Sequence, residues 1–329
     1  MQTEPKRRQL KVGVIGVGHL GQHHARLYHQ LEDCQLVGIA DINESRAKEI
    51  ADRFQTRAYA HYQELIPLVD AVNIAVPTSL HHEVARAFLS AGKDCLLEKP
   101  ITSTLDQGNE LVQLAREKNL IFQIGHLERF NPAILAVEES ILQPMFIESH
   151  RLAPFVERGT DVDVVLDLMI HDIDIIMSIV RSKVTKIDAA GVPVITRTID
   201  IANARLEFET GCVANVTSSR VSMKKERKIR IFQKDTYFSI DYANSKINSC
   251  RLKPKAESDS GSFPKEVVHQ EILCQKEEPL KSQLISFIQS VRNRTRPKVS
   301  GEDGLEALRI AQKIKDVMSA HFEQSRSFH

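Results

Sequence analysis

A chain of 329 residues is longer than one ordinary core supports, so two domains are expected. Its 44 basic and 43 acidic side chains leave a formal charge of +1, too weak a field to draw in nucleic acid or an anionic membrane, so any charged ligand must be held by a local cluster. Five scattered cysteines without a Cys-x-x-Cys pair exclude a disulfide framework and a structural zinc site, and the lack of a long apolar run excludes membrane insertion, so a reducing cytoplasm is the expected setting.

In chain order, short apolar runs rich in β-branched residues alternate with amphipathic stretches. Residues 11–15, 35–40, 71–76, 95–97 and 121–124 read as strands, with helices at 21–31 and 44–54 between them. The strand runs are nearly all apolar rather than alternating, as expected for strands covered by helices on both faces. Residues 1–125 are therefore expected to form an α/β Rossmann domain with a doubly wound parallel sheet. From residue 126 the character changes. A long helical pattern at 162–180 precedes alternating strands at 205–209, 212–218 and 228–232, a polar solvated loop at 253–265, and helical patterns at 280–293 and 304–322. Residues 126–329 read as an α+β domain with a large open, mostly antiparallel sheet.

Gly16-Val17-Gly18-His19-Leu20-Gly21 fits G-x-G-x-x-G between the first strand and the first helix, the context that a dinucleotide site requires. Gly16 permits a tight turn, Gly18 lets backbone approach a pyrophosphate, and Gly21 lets the helix pack on the sheet. The helix N-terminus then offers its N–H groups to the phosphates, beside His19 and Leu20. Asp41, twenty residues beyond Gly21, is placed to accept hydrogen bonds from ribose hydroxyls and to repel a 2′-phosphate, so NAD is favoured over NADP. Asn43, Ser45 and Arg46 soften that preference, and Arg46 can lie over adenine. His19, His23, His24 and His29 follow the phosphate loop without a complementary Cys or carboxylate cluster, so no metal is expected.

Three further segments occur in order: Ala75-Val76-Pro77-Thr78-Ser79-Leu80-His81, then Glu98-Lys99-Pro100, then Asp167-Leu168-Met169-Ile170-His171. Together with the glycine motif they resemble the Gfo/Idh/MocA oxidoreductase family along essentially the whole chain. The resemblance implies a Rossmann domain followed by an α+β domain whose sheet forms a homodimer or homotetramer interface. It also places Pro77, Thr78, His81, Glu98 and Lys99 at the cofactor, and Lys99, Asp167 and His171 at the chemistry. Many relatives carry glycine between the helix Asp and His, where this chain has Met169.

The residues support that chemistry on their own terms. Moving a hydride from a carbinol carbon to nicotinamide requires the hydroxyl proton to leave, and His171 is the natural base. Asp167, four residues earlier, falls on the same helix face and either orients the imidazole or binds a neighbouring hydroxyl. Lys99 precedes a proline, which favours extended backbone, and its ammonium can bond the substrate oxygen and stabilise developing alkoxide charge.

His126, Arg129 and Asn131 lie at the crossover between the domains, and Arg151 and Arg158 follow. They are candidate substrate contacts, with the arginines suited to phosphate. Asp172 and Asp174 read as polar helix-face or capping residues. The stretches at 125–132, 158–167 and 301–304 resemble a bacterial subgroup that oxidises the 3-hydroxyl of UDP-N-acetylglucosamine for a following aminotransferase in lipid A precursor synthesis. A nucleotide or amino sugar is the expected substrate; a free polyol or inositol ring, or a cofactor-sensing regulator without catalysis, are the alternatives.

Overall fold

The apolar runs of the first half become strands of one sheet in the computed structural model, which describes residues 8–156, 162–254, 265–274 and 277–326. Leu10–Ile15 (β1), Cys34–Ala40 (β2), Ala58–Tyr59 (β3), Ala71–Ile74 (β4), Asp94–Glu98 (β5) and Phe122–Gly125 (β6) run in the order β3-β2-β1-β4-β5-β6, with every adjacent pair parallel. Helices Gly21–Gln30 (α1), Glu44–Arg53 (α2), Thr78–Ser90 (α3) and Leu105–Glu117 (α4) connect them. All four residues of β4 are buried, which accounts for its unalternating sequence. The strand order reverses between β1 and β4, and a doubly wound sheet opens its ligand crevice at that switch point.

The chain divides into two compact units, residues 1–127 with 278–306 and residues 128–277 with 307–329. The segment 278–306, placed in the second domain by the sequence pattern, belongs to the first unit. Its helix Pro279–Asn293 contributes Leu284, Phe287 and Ile288 to the core formed by Val12, Val14 and Leu27.

The second unit is built on eight strands. Pro144–Leu152 (β7), Val184–Val192 (β8), Ile201–Phe208 (β9), Val213–Ser219 (β10), Glu226–Gln233 (β11), Thr236–Asp241 (β12), Lys246–Pro254 (β13) and Lys265–Leu273 (β14) lie in the order β14-β13-β12-β11-β7-β10-β9-β8. Only β7 and β10 pair in parallel; the other neighbours are antiparallel. One sheet face, with Ile147, Leu206, Val216 and Ile231, packs on Ile173 and Ile176 of the helix Ile170–Val180 and on Ile310 and Ile314. Each such burial contributes roughly 1.5–3 kcal/mol before chain entropy is charged. The opposite face carries a half-buried aromatic row, Phe146, Phe232 and Tyr237, with centroids 5.8 and 4.7 Å apart, beside the Glu148–Arg230 pair.

β7 carries no clear strand pattern in the sequence, because its inward positions include Ser149 and Arg151, polar residues at sites where alternation calls for apolar ones. The expected helix start at 162 moves inward because Asp163 Oδ1 accepts from the N–H groups of Val165 and Leu166, at 3.0 and 3.1 Å, and so caps the helical turns that follow.

Candidate active site

The glycine turn after β1 is shaped by backbone contact. Gly16 has φ +79°, and a Cβ there would sit 2.7 Å from the carbonyl oxygen of Ala75; at Gly21 it would sit 1.8 Å from the carbonyl oxygen of Gly16. No side chain fits at either position. At Gly18 the opposite holds: a Cβ would meet nothing within 4 Å. Gly18 instead borders a cavity of about 460 Å³ lined also by Gly16, Asp41, Ile42, Tyr62, Val76 and Pro77. A bare backbone facing open space beside a ten-residue helix is the cradle that a pyrophosphate requires.

Asp41 stands at this cavity with its carboxylate fixed by two backbone donors, Val17 N–H to Oδ2 at 2.8 Å and Asn43 N–H to Oδ1 at 2.9 Å. Lone pairs remain on both oxygens for ribose hydroxyls. Arg46 is otherwise engaged: Nε donates to Val17 O, Nη1 to Glu49 and Nη2 to Gln22. It fastens the phosphate turn rather than waiting for adenine or a 2′-phosphate, which favours NAD. His19 and Leu20 are exposed at the start of α1. Among the lining residues without a sequence signal are Ile42, 96 % exposed, and Tyr62, whose hydroxyl donates to Glu83.

The Glu98-Lys99-Pro100 segment leaves the end of β5 through a cis peptide at Lys99–Pro100. Lys99 is half-buried. Glu98 lies directly over Gly125, where a Cβ would come within 2.8 Å of its carboxylate, and His24 Nε2 approaches Glu98 Oε1 to 3.0 Å from the fully buried side of α1. Pro77 and Thr78 begin α3, and Pro77 lines the cavity. His81, expected at the cofactor, is only 1 % exposed and occupies a different place: Nδ1 lies 2.8 Å from the carbonyl of Pro100 and Nε2 3.0 Å from the carbonyl of Val76. Burial pushes its pKa below the ordinary imidazole value, against the pull of those carbonyls and of Glu98.

In the second unit, Asp167 sits within a π-helical turn, Val165–Met169, that runs directly into the α-helix carrying His171. Single π turns inside helices are characteristic of functional sites. Both side chains are half-buried. The next residue is not a surface polar group. Asp172 is fully buried and accepts from Ser149 Oγ at 2.9 Å and from Arg151 Nε and Nη2 at 2.6 and 3.3 Å. Asp174, 2 % exposed, pairs with Arg129 at 3.4 Å. The helix-face expectation for both aspartates is thus corrected: each is an interior ion-pair partner, Asp172 tying the His171 helix to β7 and Asp174 tying it to the short helical turn Leu127–Phe130.

The candidate substrate contacts fare similarly. Arg151 is 3 % exposed and fully committed to Asp172 and Glu128, which overcome the burial cost and keep it charged. Asn131 caps a short helix through Ala133 N–H and donates to Glu128. His126 is buried. Arg158 lies outside the described residues. Residue type and a place at the crossover suggested all five, and folding pairs Arg129, Asn131 and Arg151 with internal partners and buries His126. Lys224 and Lys225 are exposed just before β11. Among the described residues no three His, Cys, Asp or Glu side chains converge as a metal site, and no helix is long and apolar enough to cross a membrane.

Residues 10–126 match the oxidoreductase family model described as an NAD-binding Rossmann fold, and residues 135–238 match the C-terminal domain model of the same Gfo/Idh/MocA family. The chain belongs to the Gfo/Idh/MocA oxidoreductase family. It is 40 % identical over 240 residues to the UDP-N-acetylglucosamine 3-dehydrogenase of Acidithiobacillus ferrooxidans, covering 73 % of this chain and 76 % of that one. A solved structure of that enzyme superposes with a TM-score of 0.88 over 95 % of this chain and 99 % of that chain, at 33 % identity. The myo-inositol 2-dehydrogenase of Thermotoga maritima is 26 % identical over 330 residues, 93 % of this chain and 95 % of that one. The Gfo/Idh/MocA chain is therefore an NAD-binding dehydrogenase acting on CH–OH groups, and the glycine cradle and Asp41 are the parts of it that fit the cofactor.

Proposed function

We propose that this dehydrogenase oxidises the 3-hydroxyl of a UDP-N-acetylhexosamine. The observation that carries the reading is the 40 % identity to the UDP-N-acetylglucosamine 3-dehydrogenase, against 26 % to the inositol enzyme. Gly16, Gly18, Gly21, Asp41, Pro77 and Thr78 hold the cofactor. NAD, when bound, supplies the acceptor for the carbinol hydride. Lys99 donates a hydrogen bond to the substrate oxygen and stabilises negative charge developing on it. His171 takes the hydroxyl proton, and Asp167, four residues earlier, orients that imidazole or binds an adjacent hydroxyl. Arg158, with Lys224 and Lys225, serves the substrate phosphates.

The enzyme works in the cytoplasm as a homodimer or homotetramer assembled through the uncovered sheet face. There Phe146, Phe232 and Tyr237 offer apolar area flanked by opposite charges, a self-complementary surface. The 3-keto product suits a following transamination in lipid A precursor synthesis. The test is NAD reduction by UDP-N-acetylglucosamine measured beside myo-inositol. Turnover with the nucleotide sugar and none with the polyol is expected; the reverse pattern returns the chain to the inositol reading.

A further inference from the structure

His81 has no part in the chemistry just described, yet it is among the most completely buried polar residues of the first unit. It projects from the first turn of α3, and its ring spans two carbonyls of two different turns. One is Val76 O, from the turn that lines the dinucleotide cavity; the other is Pro100 O, one residue beyond Lys99. Carbonyl oxygens only accept, so each contact needs a proton on the ring nitrogen that faces it. A neutral imidazole serves one carbonyl at a time and an imidazolium serves both. Either way the ring spans the gap between the two turns at hydrogen-bond distance.

The far side of the lysine turn is braced as well. Glu98, immediately before Lys99, is laid over Gly125 and met by buried His24. The strand therefore enters the turn with Glu98 fixed, and Pro100 leaves it held by His81. Lys99 sits between these two anchors on a stem that has several rotatable bonds but whose backbone has little freedom.

We propose that His81 is a positioning residue for Lys99, setting the lysine turn at a fixed distance from the turn that lines the cofactor cavity. This rests on the assignment of Lys99 to the reaction under the proposed function. It adds that the lysine is held through a side-chain bridge that is neither cofactor nor substrate contact.

The experiment compares wild type with His81→Gln, which keeps an amide donor, and His81→Leu, which keeps bulk without one. One readout needs no substrate: the rate of acetylation of the Lys99 amine by limiting acetic anhydride, measured by peptide mass spectrometry in the NAD-saturated protein. Calorimetric NAD affinity and steady-state kinetics accompany it. A positioning role predicts that His81→Leu changes Lys99 acetylation several-fold while other lysines label as in wild type, with His81→Gln between the two. It also predicts a fall in kcat of about tenfold or more, the effect of one buried hydrogen bond lost, with KM little changed. Lys99 labelling and kcat both at wild-type values in folded His81→Leu would overturn it, and so would a loss of NAD affinity that alone accounts for the change. Should wild type turn over neither UDP-N-acetylglucosamine nor inositol, the substrate reading fails while the labelling comparison still decides the role of His81.

Discussion

Removing the Asp172 carboxylate is expected to cost more than any surface substitution in the second unit. Asp172 is fully buried, receives three side-chain hydrogen bonds, and neutralises Arg151, which is 3 % exposed. In Asp172→Ala the guanidinium keeps only Glu128, at 3.0 Å, and a buried cation loses its nearer counter-ion. Breaking a buried pair from one side typically costs about 3–5 kcal/mol, because an uncompensated charge remains. Against a total stability of roughly 5–15 kcal/mol that is a large share. Replacing both partners with apolar residues of similar shape, Arg151→Met with Asp172→Leu, removes the orphan charge. The double variant should therefore be more stable than Asp172→Ala, since Glu128 still has Arg227 at 3.6 Å. Urea unfolding followed by circular dichroism measures both, and a double-mutant cycle isolates the coupling. A cost below about 1 kcal/mol for Asp172→Ala, or additive single effects, would refute the claim that this pair anchors the His171 helix.

Three further outcomes follow from the same geometry. Asp41→Ala should weaken NAD binding by about tenfold to a hundredfold in calorimetry, the range for lost hydrogen bonds to a charged group, with little gain for NADP because Arg46 stays engaged. Burial pushes the thiols of Cys34 and Cys212 up to about 12 and about 11, so in mildly alkaline buffer both stay protonated and alkylate slowly in native protein but fast in urea, as mass spectrometry of labelled peptides would record. Burial alone would raise the Glu128 carboxyl, but Arg151 outweighs it and holds the group below its ordinary 4.5. A carboxylate depressed in the folded state lends stability above its unfolded pKa and loses it as pH falls through the folded value. Glu128→Gln should therefore flatten the stability profile below about pH 4.5, as thermal melts across that range would reveal.

The parallel sheet was legible because its strands are nearly all apolar and its helices amphipathic, and the glycine motif fell where strand meets helix. Asp41 likewise followed from distance along the chain. What the letters hid was where polar residues are spent. Arg151 looks like a phosphate ligand because guanidinium suits phosphate, yet Asp172 and Glu128, distant in sequence, consume it. His81 looks like a cofactor contact because it follows the proline turn, but α3 directs it inward to two carbonyls. Ile42 and Tyr62 at the cavity carry no motif, since one exposed apolar side chain and one tyrosine are unremarkable until folding brings them to the same opening. The return of residues 278–306 to the first unit was equally hidden, because periodicity fixes a helix and not the core on which it packs.

The most direct trial of the account is NADH production from UDP-N-acetylglucosamine by wild type, Lys99→Ala and His171→Ala, each first confirmed to bind NAD by calorimetry. The account predicts turnover by wild type, with a keto sugar nucleotide recovered as product, and a loss of about a thousandfold in each variant at near-normal NAD affinity. Wild-type rates in either variant, or oxidation of free polyols in place of the sugar nucleotide, would contradict it.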